Sequence, residues 1–181
     1  MDAQNAREIL EGVAEKCGFE SVGYVAANAL NVRPEVRDMC ASGKCQIFGH
    51  SWACPPACGT LDDFQKIIDG YDNCLVVQTV GQLEDDFDFE TMMETEHTHK
   101  DRFQRFGELA RETGIPLHLL AAGTCTICNP CTYPDHPCRF PSKRMSSMEA
   151  AGLLVSEVCT QADVPYNHGK ETIAYTSCVL Y

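Results

Sequence analysis

Apolar residues recur along this chain in two rhythms, and the places where the rhythm changes mark its elements. Ala6, Ile9, Leu10, Val13, Ala14 and Cys17 follow the i, i+3, i+4, i+7 spacing of an amphipathic helix, which predicts a helix over Ala3–Cys17 ended by Gly18. A strand is expected from about Glu20 to Ala26. Thr60 and Asp63 in "GTLDDFQKII" form a capping-box pattern that opens a second helix. "NCLVVQTV", Asn73 to Val80, is a largely apolar strand. Glu90 to Thr113 predicts a long helix stopped by Gly114, with Pro116 just beyond. The last elements are a strand in "IPLHLLAAG", a short helix near Val155–Ala162 and a final strand near Thr172–Leu180. Two stretches carry neither rhythm, Leu30–Gly59 and Gly123–Pro141, and both are expected to be irregular.

This order predicts an α/β single-domain sandwich over residues 1–181: a roughly four-stranded mixed sheet with packed helices and two cysteine-rich loops. A chain of this length buries about 70% of its unfolded surface, so it does not need metal merely to gain a core. Three histidines fall within the predicted elements. His97 and His99 lie two apart, so they do not share a helix face, and both are expected on a solvated surface. His118, inside a strand, is expected to be a core histidine.

The irregular stretches hold the chemistry. Eight of the 12 cysteines fall in two groups of four: Cys40, Cys45, Cys54 and Cys58, then Cys125, Cys128, Cys131 and Cys138. Cys17, Cys74, Cys159 and Cys178 sit singly within predicted elements and are expected to be small core hydrophobes. The N-terminal "MDAQNAREILEG" has neither the basic nor the apolar segment of a signal peptide, so a cytoplasmic protein is expected. Structural disulfides are rare there. That leaves metal or cluster binding as the leading use of the two groups.

The second group has the spacing C-x2-C-x2-C, with Cys138 seven residues further on. A ligand every third residue wraps a cubane, and the returning chain supplies the fourth. Zinc sites more often use two C-x2-C pairs set well apart. A [4Fe-4S] cluster is therefore preferred over zinc here. Gly123, Pro130, Pro134 and Pro137 oppose regular structure, which leaves amide N–H groups free to face cluster sulfides. The first group, C-x4-C-x8-C-x3-C, is less diagnostic. A second [4Fe-4S] cluster is preferred there too, with zinc and free or catalytic thiols as the alternatives.

Around these groups, Trp52 is a candidate shield for a cofactor, and Arg139 a candidate cation beside one, with Lys143 and Arg144 following. His50 and His136 are secondary candidate ligands. The net charge of −12 disfavours nucleic acid. It suits docking on a redox partner protein with a basic surface and is compatible with a homo-oligomer. No apolar run approaches the ~18 residues of a membrane span.

Two segments, "KCQIFGHSWACPPACGTL" and "GTCTICNPCTYPDHPCRFPSKRMSSMEAAGLLV", resemble a cysteine-rich family of predicted metal-binding proteins of unknown function, found mainly in anaerobic bacteria and archaea. The most specific part is P-C-R-x-P followed by S-M-E-A-x-G, here Pro137–Pro141 and Ser147–Gly152. The resemblance implies metal binding by the two cysteine groups and gives no reaction. Three functions are consistent with these features. They are low-potential electron transfer through two clusters, an iron–sulfur oxidoreductase with an open iron site, such as a corrinoid-activating reductase with Arg139, Glu149 and His136 near the cluster, and a structural or regulatory zinc protein.

Overall fold

The computed structural model describes residues 2–181, and its architecture is α/β. Five helices, α1 (Ala3–Cys17), α2 (Pro34–Ala41), α3 (Leu61–Ile68), α4 (Phe89–Glu112) and α5 (Val155–Gln161), accompany five strands, β1 (Ser21–Ala26), β2 (Asn73–Gln82), β3 (His118–Ala121), β4 (Ser146–Ser147) and β5 (Thr172–Leu180). The strands form one sheet in the order β1-β2-β5-β3-β4. All neighbours pair antiparallel except β3 and β4, which run parallel. The sheet is thus mixed, as expected, with one strand more than the sequence pattern shows. β4 is only two residues long and directly follows the second cysteine loop, too short to carry an alternation.

β2 explains the fold's layering. Cys74 and Val76 belong to the apolar cluster on one face of the sheet, with Phe64 and Ile68 of α3 and Val158 of α5. Leu75 and Val77 belong to the cluster on the other, with Leu10 and Val13 of α1 and Phe103 and Phe106 of α4. A strand covered on both sides needs apolar residues at every position, which is why its run is nearly continuous.

The helix ends follow local chemistry. Asp2 accepts from the Asn5 amide at 2.8 Å to cap α1. Thr60 and Asp63 exchange the reciprocal bonds of a capping box at α3. Those bonds, first the Thr60 amide and then its hydroxyl, hold the Asp63 carboxyl below its ordinary pKa.

Two expectations are corrected. Helix α2 lies inside the stretch expected to be irregular. Pro34 at its start is pre-organised for a first turn, but only Val36 is fully buried, so no apolar stripe reveals it. His99 is not on a solvated face: it is 0% exposed, whereas His97 is exposed. His99 falls on the α4 stripe of Thr95, Phe103, Phe106 and Ala110 that faces the sheet. Its Nδ1 lies 3.0 Å from Thr79 Oγ1 and its Nε2 2.7 Å from Ser177 Oγ. The sheet supplies the polar partners that make a histidine affordable there. His118 opens β3 half-buried, and burial pulls its pKa down.

Candidate metal centre

Both cysteine loops leave the same region of the fold. The first runs from α2 to α3; the second connects β3 to β4. Neither contains regular structure between Ser42 and Thr60 or between Gly123 and Met145. All 12 cysteines are free thiols, and Cys17, Cys74, Cys159 and Cys178 are buried in the core.

The second group closes on itself. Cys125, Cys128, Cys131 and Cys138 line one hollow, shared with Trp52, Phe140 and Arg144. The Trp52 indole N–H donates to the His136 carbonyl at 2.9 Å, and its ring meets Tyr133 edge-on, with centroids 4.9 Å apart. Trp52 thus belongs by sequence to the first loop but walls the second. Of the basic run, Arg144 is the member that lines the hollow. Arg139 is exposed and donates to the Pro130 carbonyl at 2.9 Å, bracing the loop from outside. Lys143 pairs with Glu108 at 2.9 Å on the surface.

The electrostatics of this group depend on where amides point. Burial raises the pKa of Cys125. At Cys131 burial pushes the same way, but the amides of Tyr133, Trp52 and Thr132 and the Ser51 hydroxyl outweigh it, and the pKa is lowered from the ordinary 9.0. A sulfur ringed by N–H donors is stabilised as thiolate, the ligating form.

The first group is arranged differently. Cys40, at the end of α2, lines a second hollow with Cys45, Cys54 and Glu149, between apolar walls that include Met39 and Phe48. Cys58 is not among its lining residues; its Sγ accepts from Arg37 Nη2 at 3.5 Å. Burial raises the pKa of Cys40, Cys54 and Cys58. The space between the lining atoms, mouth included, is about 820 Å³ here against about 300 Å³ in the second hollow, so the first has room beyond its cysteines. His50 and His136 are exposed and line neither hollow.

The two hollows adjoin. Cys54 Sγ lies 3.4 Å from Thr124 Oγ1 of the second loop, and Ser51, beside Trp52, reaches Cys131. Among the described residues, no three His, Cys, Asp or Glu side chains gather at the spacing of a single metal ion; the cysteines ring hollows instead. No helix is long and apolar enough to cross a membrane.

A family model described as "predicted metal-binding protein (DUF2284)" matches residues 24–181, a span that includes both loops, strands β2 to β5 and the second half of β1. The chain belongs to this family. Neither the curated proteins nor the solved structures yield a match. As a DUF2284 protein it is a predicted metal-binding protein, and its donor set is thiol-rich at both hollows. Sequence reasoning singled out the eight cysteines and Trp52 as candidates, but not Ser51, Thr124 or the enclosure of the Glu149 Oε2 atom. The one available signal was Glu149 lying in the specific S-M-E-A-x-G stretch.

Proposed function

We propose that this protein binds two [4Fe-4S] clusters in adjoining sites and transfers electrons at low potential to and from a partner with a basic docking surface. The observation that carries this reading is the ring of Cys125, Cys128, Cys131 and Cys138 around one hollow. Four thiols around a space, not converging on a point, suit a multi-iron cluster better than one zinc ion. Bound there, a cubane would supply one-electron chemistry. The chain's own groups serve that role: four thiolates hold the cluster, and Trp52 and Phe140 restrict water. Amide N–H groups and Arg144 favour added negative charge. The acidic stretch Glu84–Glu90, with Phe87 and Phe89 exposed, offers a complement to a basic partner. A cytoplasmic, reducing location fits the free thiols.

The roomier first hollow favours a second reading, in which that site also reduces a bound small molecule. The test of both begins with protein isolated anaerobically. About eight irons with matching sulfide per chain are expected, with an electron paramagnetic resonance (EPR) signal on reduction. Colourless protein containing stoichiometric zinc would overturn the proposal.

A further inference from the structure

The first cysteine group is incomplete as a four-thiol site, and the structure points to what completes it. Cys40, Cys45 and Cys54 line the hollow with Glu149. The Glu149 Oε2 atom is buried and has no hydrogen-bond partner within the protein. A buried carboxylate oxygen left unpaired is costly, and nothing around the hollow bonds it, not even the Thr124 and Ser147 hydroxyls that share its walls with Val36, Met39, Ile47 and Phe48. Natural proteins keep such an atom where a ligand meets it.

Cys58, the fourth thiol expected from spacing, has another role. Arg37 donates to its sulfur, to the Gly59 carbonyl and, through Nη1, to the Ala150 carbonyl at 2.6 Å. Cys58 also packs against the apolar cluster beneath. Arg37 lies on α2, one turn before Cys40, so this fork ties α2 to the segment entering α3 and to the residue after Glu149. Arg37 is the positioning residue: its fork ties the helix that carries Cys40 to the segment that carries Glu149, both of which line one hollow, while Cys58 only accepts from it.

We propose that the first metal centre is held by Cys40, Cys45, Cys54 and the Glu149 carboxylate, with Cys58 outside the ligand set. This rests on the iron–sulfur reading above. A carboxylate is a harder, more readily displaced ligand for iron than a thiolate, and the hollow that Glu149 lines is the roomier of the two. The site is therefore built to exchange that ligand for a small molecule, whereas the all-thiol second site is built to hold its cluster closed.

The test is iron and sulfide content with EPR on anaerobically reconstituted full-length wild type, Cys40→Ser, Cys58→Ser and Glu149→Gln. Cys40→Ser should lose about half the iron, that of one of two four-iron sites. Cys58→Ser, which retains an acceptor for Arg37, should keep wild-type iron and spectrum. Glu149→Gln should shift or abolish the signal of one cluster only. The unchanged second-site signal in each variant shows that the chain has folded. Loss of the same half of the iron in Cys58→Ser overturns the assignment, as does a Glu149→Gln spectrum that superimposes on wild type. Wild type without iron would instead refute the underlying cluster reading, before any variant is compared.

Discussion

Replacing His99 by leucine isolates how a titratable group was placed in the core. The ring is fully buried and bonded to Thr79 and Ser177. Burial, then the charges of Arg102 and Lys100, lower its pKa from 6.5 to about 3. The folded state therefore refuses a proton that the unfolded chain accepts. This contribution is fully present above pH 6.5 and is lost as pH falls toward 3. One pH unit corresponds to about 1.4 kcal/mol, so between pH 6 and pH 4 His99 alone removes about 2.5 kcal/mol of stability. Urea unfolding of wild type and His99→Leu at a series of pH values reads this directly. At pH 7 the variant should be weaker by about 2 kcal/mol, for two hydrogen bonds at roughly 1 kcal/mol each. Its stability should fall with acid less steeply than wild type, and the curves should cross near about pH 5. Both proteins carry the same cysteine sites, so acid effects on those cancel in the comparison. Parallel curves would refute the buried, neutral histidine.

Trp52 is the only tryptophan and walls the second hollow, so loading the protein with iron and sulfide should strongly quench its fluorescence, while zinc should not; emission unchanged on iron loading would remove Trp52 from the site. In Gly23→Ala the new Cβ would overlap the Val164 side chain and the Ala162 carbonyl, an overpacking penalty of about 1–3 kcal/mol, visible as a lower thermal midpoint. Thr60→Ala removes the capping box and should destabilise by about 1 kcal/mol in urea titrations, with iron content unchanged.

How far the sequence foretold this molecule depended on whether a residue's role was local. Helix α1 and strand β5 match their expected ranges because apolar rhythm and flanking stop signals are short-range properties. The Thr60–Asp63 cap was legible for the same reason. Helix α2 was not, because it buries one residue and is held by Arg37 bonds to positions 21, 22 and 113 residues away. His99 was misplaced because its partners lie 20 and 78 residues distant. The cysteine spacing in the second loop translated into a shared hollow since all four thiols lie within one short excursion. In the first loop the spacing was wider and mixed thiols of two surroundings, and only the fold separates Cys58 from the other three.

The positions of Trp52 and Thr124 give the two loops a shared fate. Trp52 is numbered with the first cysteines and encloses the second; Thr124 is numbered with the second and touches Cys54 of the first. Each hollow is therefore finished by a side chain of the other loop. Regular structure does not hold these loops, so their order comes from these crossed contacts together with the four-cysteine ring itself. A ligand bound by Cys125–Cys138 would fix the Trp52 indole through the His136 carbonyl. That would fix Ser51 and Ala53 and, one residue on, Cys54 in the neighbouring hollow. Ordering passes from the closed, all-thiol site to the roomier one, which is the direction required if the first site is the one that exchanges its ligands while the second keeps its own.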